Sequence, residues 1–435
     1  MQKIQFSDME LSNEMQRAVE EMGFEEPTSI QAASIPMILS GRDVIGHSQT
    51  GTGKTAAFSI PAIEKINPAG GRKTQVLILC PTRELAVQAC DEIRKFAKYK
   101  PFLKVVPIYG GQPIERQFTA LRGGAQIVVG TPGRVMDHMR RGTLKLDNLH
   151  MIILDEADEM LSMGFREDIE TILKDVPQER QTILFSATMS PEIMRITKQY
   201  QTDPELIKIT REQLTVPNIE QTYYEVPVGK KTEVLSRLLD VYNPSRSIVF
   251  CNTKKQVDEL VEELHARGYQ ARGLHGDMKQ GERTQIMNGF RRGSIDILVA
   301  TDVAARGIDV DDIAAVFNYD IPQDVEYYVH RIGRTGRIGK EGRAFTFVTG
   351  RRQIYELRDI ERFTKSKITL KAVPSSSEVN ETNERKFLDR VRVVLEEGGL
   401  EEYTPYTDAL LEDYASLDIS AALIKMLLKK EQRGR

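Results

Sequence analysis

Short, wholly apolar, β-rich runs, each stopping at Pro, Gly, Asp or Ser/Thr, restrict the fold of this chain more than any other feature. VLILCP (76–81), IVVGTP (127–132), MIILDEAD (151–158) and TILFSAT (182–188) alternate with longer stretches of helical periodicity. A strand apolar on both faces has to be covered on both, which is the condition of a parallel sheet flanked by helices. In such sheets the chemistry gathers at the carboxyl ends of the strands, where the polar residues of these runs fall. The same grammar returns in SIVFCNT (247–253), DILVATD (296–302), AAVFNYD (314–320) and AFTFV (344–348). Two tandem α/β domains follow, over 1–208 and 218–368, with a linker at 209–217; 435 residues exceed what one core holds.

After PSSSE (374–378) the periodicity turns helical, in NERKFLDRVRVVLEEGG, DALLEDYASLD and ISAALIKMLLKK. From Glu396 to Asp418 there are eight acidic residues and no Lys or Arg, so this part repels a phosphate backbone. Ile419, Leu423, Ile424, Met426, Leu427 and Leu428 make the last helix apolar on more than one face. Residues 369–435 therefore read as a small helical module. It either dimerises through 370–435 or packs against the second α/β domain.

A formal net charge of −3 gives no general attraction for nucleic acid, so any such binding has to come from a local groove. Three scattered cysteines (Cys80, Cys90, Cys251) suit a reducing compartment. No apolar run approaches the ~18 residues a membrane span needs. The opening MQKIQFSDMELSNEMQ lacks the apolar core of a secretory signal. A cytoplasmic location without membrane partners is expected.

SQTGTGKT (48–55) stands between the strand-like DVIGH (43–47) and the helical AAFSIPAIEKI. Glycines let successive N–H groups curl around one anion, and a helix N-terminus adds its dipole. Ser48, Thr50, Gly51, Thr52, Gly53, Lys54 and Thr55 are the expected phosphate cradle. Lys54 reaches the β/γ-phosphates, and the Thr55 hydroxyl binds Mg²⁺. Ser48 stands where the general pattern has Gly. LDEAD (154–158) puts Asp155 at a buried strand end, where it holds hydrated magnesium, partly through water, and puts Glu156 where it polarises the attacking water. HRIGRTGR (330–337) concentrates guanidinium forks in the second domain. Arg334 and Arg337 are expected to be fingers that meet the charge developing on the transferred phosphoryl.

PTSIQ (27–31), SQTGTGKT, PTRELA (81–86), YGG (109–111), TPGR (131–134), DEAD (155–158), SAT (186–188), VATDVAARGID (299–309) and HRIGRTGR occur in the order shown by DEAD-box RNA helicases. The chain resembles that family over about residues 1–365. The resemblance implies two tandem RecA-like P-loop domains, ATP with Mg²⁺ as cofactors, and RNA as substrate, single-stranded or in short duplexes. It implies that Phe6 stacks on adenine, Gln31 reads the adenine edge, and Asp309 and Gly307 meet the ribose. Ser186 and Thr188, with Asp158 and His330, resemble the relay linking hydrolysis to domain closure. Pro81, Thr82, Arg83, Gly110, Gly111, Thr131, Gly133 and Arg134 resemble first-domain RNA contacts, and Thr253, Gly276, Arg283 and Thr301 second-domain ones. These residue types grip phosphate and sugar, which implies low sequence specificity.

The tail resembles the dimerisation segment of bacterial cold-shock DEAD-box helicases. That implies a homodimer, work in stress response, and partners among RNA-degradation or ribosome-assembly proteins. The function implied is ATP-driven closure of two domains that separates short RNA duplexes. The alternative is an ATP-gated RNA clamp within a ribonucleoprotein or RNA-decay assembly. A DNA helicase is disfavoured by the motifs.

Overall fold

The computed structural model describes residues 5–48, 52–208, 219–305, 310, 313–336 and 341–433. The chain separates into two compact units. The expected linker lies outside the described residues.

In the first unit the strands are β1 (Val44–His47), β2 (Val76–Leu79), β3 (Val105–Ile108), β4 (Ile127–Gly130), β5 (Met151–Leu154), β6 (Gln181–Ser186) and β7 (Glu205–Lys208). They form one sheet in the order β3-β4-β2-β5-β6-β1-β7, and every pairing is parallel. The second unit holds β8 (Ile219–Glu225), β9 (Ser247–Phe250), β10 (Ala271–Leu274), β11 (Ile297–Ala300), β12 (Ala315–Asn318), β13 (Gly342–Val348) and β14 (Thr369–Leu370). Its order is β10-β11-β9-β12-β13-β8-β14, again parallel throughout. Adding seven to each strand number of the first sheet reproduces the second, so one winding is built twice.

The apolar runs do what two-sided burial requires. In β2, Val76 and Ile78 enter one core, and Leu77 and Leu79 enter the other, on the opposite face. Helices cover both faces, so every polar strand end is delivered to a single carboxyl edge. Thr82 starts the Arg83–Phe96 helix as its N-cap, its Oγ1 accepting from Leu85 N at 3.3 Å.

The tail clusters with the second unit and forms helices Ser376–Glu397, Thr404–Leu411 and Ser416–Arg433. Phe387 is buried, Lys386 Nζ donates to Asp240 O, and Arg237 Nη1 donates to Pro374 O at 3.1 Å. The first tail helix thus rests on the Lys231–Tyr242 helix. Beyond it, Leu400, Tyr403, Tyr406, Tyr414, Leu417 and Met426 stand exposed. No described helix is long and apolar enough to cross a membrane.

Candidate nucleotide and RNA site

β5, β6 and β1 are neighbours, so the DEAD turn, the SAT turn and the P-loop leave adjacent strand ends. Ser48 is anchored there, its N–H donating to Ser186 O at 3.1 Å. Gly53 caps the Lys54–Glu64 helix with φ 87°, and a Cβ on it would stand 2.4 Å from Gln31 Nε2. Lys54 is buried at the first turn of that helix, its Nζ donating to Ser48 O at 3.4 Å, and Thr55 follows it half-buried.

Asp155 follows β5, its N–H donating to Leu79 O at 2.9 Å. Its carboxyl is buried and Oδ1 has no hydrogen-bond partner. Burial pushes this carboxyl up to about 7, against the opposing pull of Lys54. An orphaned, desolvated carboxylate oxygen beside a P-loop is the environment a hard cation relieves. Glu156 is buried and held at φ 50°, a left-handed conformation uncommon for a side chain with a Cβ. A strained residue of this kind is concentrated at working sites. Asp158 closes the turn: Oδ2 accepts from Ala187 N at 3.1 Å and Thr188 N at 2.9 Å, and Oδ1 from Glu159 N at 3.1 Å. Ser186 Oγ donates to Thr188 O at 2.6 Å. His47 Nε2 lies 3.1 Å from Ala187 O, so the end of β1 braces the same turn. Asp158, Ser186 and Thr188 are therefore brought together, with His47 as a member that the sequence reading missed.

The other half of the edge carries the strand-contacting candidates. β3, β4 and β2 end at Gly110–Gly111, at Thr131–Arg134 and at Pro81–Arg83. Gly110, Gly111 and Gly133 are exposed. A Cβ on Gly110 would meet nothing of the protein within 4 Å, so the fold itself does not require glycine there. The Arg83 guanidinium lies 4.6 Å from the Tyr109 ring centre, and Arg134 donates through Nη1 to Gln112 O at 3.4 Å.

The second sheet repeats this division. Thr253, Gly276 and Thr301 follow β9, β10 and β11, and Gly276 also has open space where a Cβ would stand. Arg283 Nη1 donates to His275 O at 3.4 Å beside them. His330 and Arg331 lie in the Val325–Ile332 helix, with Arg334 just beyond; Arg334 is 7% exposed and its Nε donates to the His330 carbonyl at 3.3 Å. Arg331, to which the sequence reading gave no role, is 1% exposed. It donates to Asp302 through Nε at 2.5 Å and Nη2 at 2.7 Å, to Asp320 O at 2.6 Å and to Asn252 Oδ1 at 3.0 Å. It locks the ends of β9, β11 and β12 together.

Two residues assigned by resemblance are packed closely. Phe6 is 4% exposed, sits in the first core and meets Phe24 edge-on with ring centres 6.1 Å apart. Gln31 is 1% exposed; its Oε1 accepts from Thr28 N at 2.9 Å and its Nε2 donates to Gly53 O at 3.1 Å. Its amide fastens the P-loop through one lone pair and one N–H. Thr50, Gly51, Gly307, Asp309 and Arg337 lie outside the described residues.

Two identically wound parallel sheets, the first with a P-loop beside an acidic strand end, define a tandem RecA-like P-loop ATPase. The chain belongs to the DEAD-box ATP-dependent RNA helicases. Residues 28–196 match the DEAD/DEAH box helicase family, 230–339 the helicase conserved C-terminal domain, and 374–433 the RNA helicase DeaD dimerization domain. It is 51% identical over 425 residues to the DEAD-box ATP-dependent RNA helicase CshA of Geobacillus kaustophilus, covering 98% of this chain and 90% of that one. Against CshA of Bacillus subtilis the identity is 49% over 427 residues, covering 98% and 86%. Among solved structures, S. cerevisiae Dbp5 bound to RNA and ADP BeF3 is similar with a TM-score of 0.78 and 31% identity, over 87% of this chain and 99% of that one.

Proposed function

We propose that the chain is an RNA-stimulated ATPase that separates short RNA duplexes locally, with little sequence preference, by ATP-driven closure of its two domains. The observation that carries this reading is the shared carboxyl edge of the first sheet. The phosphate cradle, the DEAD turn and the SAT turn leave β1, β5 and β6, the strand-contacting groups leave β2, β3 and β4, and a packed sheet moves as one piece. Glu156 orients the attacking water, and Arg334 and Arg337 supply charge to the transferred phosphoryl. The contact groups are Gly, Thr and Arg, which hold a backbone without reading bases. ATP drives closure only by its differential affinity for the closed form.

The buried, unpartnered Asp155 oxygen and the Thr55 hydroxyl fit Mg²⁺, which they would hold together with phosphate oxygens. When bound, the ion neutralises phosphate charge. The same reading assigns the protein work on cytoplasmic RNA, in stress response, RNA degradation or ribosome assembly. A clamp that hydrolyses only to let go uses the same groups and has no observation of its own in its favour. Release of a labelled strand from a short RNA duplex discriminates: ATP is expected to release strands over repeated turnovers, and a non-hydrolysable analogue in one stoichiometric round. Equal yields from both would replace the helicase reading with the clamp.

The tail serves homodimerisation in this reading. Removing 399–435 leaves Phe387 on the Lys231–Tyr242 helix and takes away Tyr403, Tyr406, Tyr414, Leu417 and Met426. Light scattering should report dimer for the full chain and monomer for the truncated one. A truncated dimer would move the interface elsewhere.

A further inference from the structure

His138 lies on the Pro132–Arg140 helix, completely buried, in no role assigned above. Its Nε2 is 3.0 Å from Gln117 Oε1, and its Nδ1 is 2.8 Å from Thr143 Oγ1. Gln117, itself buried on the Ile114–Arg122 helix, donates through Nε2 to Tyr109 O at 2.9 Å. Phe118 packs edge-on against the imidazole with ring centres 5.5 Å apart. Tyr109 is the residue before Gly110 and Gly111, and its ring carries Arg83. Arg134, one turn before His138, holds Gln112 O on the far side of the same turn.

The bond directions favour one arrangement, in which the Thr143 hydroxyl donates to His138 Nδ1 at 2.8 Å and not to its other acceptor, the His138 carbonyl oxygen at 3.1 Å. A carbonyl at Tyr109 can only accept, so the Gln117 amide nitrogen faces it and the amide oxygen faces His138. That oxygen needs a donor, so His138 carries its proton on Nε2. Burial pushes the imidazole below its usual range, aided by Arg134 and Arg141 and opposed by Asp137, which keeps the ring neutral with a single N–H. Gln117, Phe118 and Thr143, which meet it from other segments, do not titrate. The relay therefore has one stable sense, from His138 through Gln117 to the carbonyl that opens the double-glycine turn.

We infer that His138 and Gln117 form a buried relay that positions the Tyr109–Gln112 turn, with Arg83 and Arg134 on either side of it, for contact with the RNA backbone. This rests on the reading of those segments as RNA contacts. His138 and Gln117 touch no RNA in it; they are positioning residues. Without the imidazole N–H the Gln117 amide is free to turn over, and the Tyr109 carbonyl loses its donor.

The test uses the full chain and a fluorescein-labelled single-stranded RNA of mixed sequence. His138→Phe keeps an aromatic ring against Phe118 and removes the donor; Gln117→Leu removes the middle of the relay and serves if the first variant fails to fold. Each should weaken RNA binding about tenfold, from the loss of one buried hydrogen-bonded link. The RNA concentration for half-maximal ATPase stimulation should rise by the same factor, with kcat at saturating RNA and nucleotide affinity without RNA unchanged. The double variant should be no weaker than either single one, because both cut the same chain. Additive losses, or a fall in kcat with unchanged RNA affinity, would overturn the inference. Arg134→Ala runs alongside. If it weakens RNA binding and the relay variants do not, the relay alone is refuted; if none of them weakens it, the RNA reading of this turn falls.

Discussion

Glu156→Gln lowers the kcat of RNA-stimulated ATP hydrolysis by about 10²–10⁴-fold, the range typical for loss of a positioned acid–base group, while ATP and RNA still bind. The carboxylate stands one residue beyond Asp155 at the end of β5, with only β6 between it and the strand that leads into the P-loop. Gln has the same shape, and both residues meet the φ of 50° with the same steric cost, so the turn and the Asp158 bonds to the SAT segment persist. What the amide lacks is the negative charge that draws a proton from water. Equilibrium nucleotide binding and single-turnover hydrolysis separate the two properties. A variant that binds ATP normally and hydrolyses it within threefold of the parent would assign the water to another group.

The strands that sequence patterning identifies are the ones buried on both faces. VLIL, IVVG, MIIL and ILVA are uninterrupted apolar runs in sheet interiors, where polar residues carry a large desolvation cost. The strands it misses lie at edges or carry an interrupting residue. β3 reads VVPI with Pro107 in its middle and pairs on one side only, which is where a missing N–H is tolerated. β10 is ARGL, also an edge strand, and β7 and β14 are short edge strands. β8 reads IEQTYYE, with polar residues on a strand that is paired on both sides. The repeated strand order was not legible, because it depends on which crossover packs where. Within the site, spacing located the P-loop and the acidic turn, since phosphate binding demands those residues at those intervals. It gave Arg331 no role, because a motif records residue type and not direction. A helical wheel carries the missing signal: Tyr328, Arg331 and Ile332 share the buried face of their helix. Val135 and His138 share a buried face in the same way. Phe6 and Gln31 took their roles from resemblance, and patterning alone did not show that both side chains are buried.

Arg331→Met should unfold the second unit first and by the widest margin of any single change outside the cores. The guanidinium is closed over by the protein, packs 5.1 Å from the Phe250 ring centre, and satisfies both oxygens of Asp302 with the Asp320 carbonyl and the Asn252 amide. Met fills much of the volume but leaves the Asp302 carboxylate without its partner in a largely buried position. Breaking a buried pair on one side costs about 3–5 kcal/mol, against a total domain stability of about 5–15 kcal/mol. With a urea m-value of about 2 kcal/mol/M, the midpoint for this unit should fall by about 1.5–2.5 M. The chain has no tryptophan, so far-ultraviolet circular dichroism follows unfolding, and nucleotide binding reports separately on the first unit. Arg331→Lys keeps the charge without the planar fork and should land between the two. Adding Asp302→Leu to Arg331→Met removes the stranded carboxylate and should recover part of the loss, since an apolar pair can replace a buried ion pair at little cost. A double variant no more stable than Arg331→Met alone would show that the carbonyl and amide bonds, and not the ion pair, hold the ends of β9, β11 and β12 together. A midpoint for Arg331→Met that does not move would remove Arg331 from the framework of the second unit altogether.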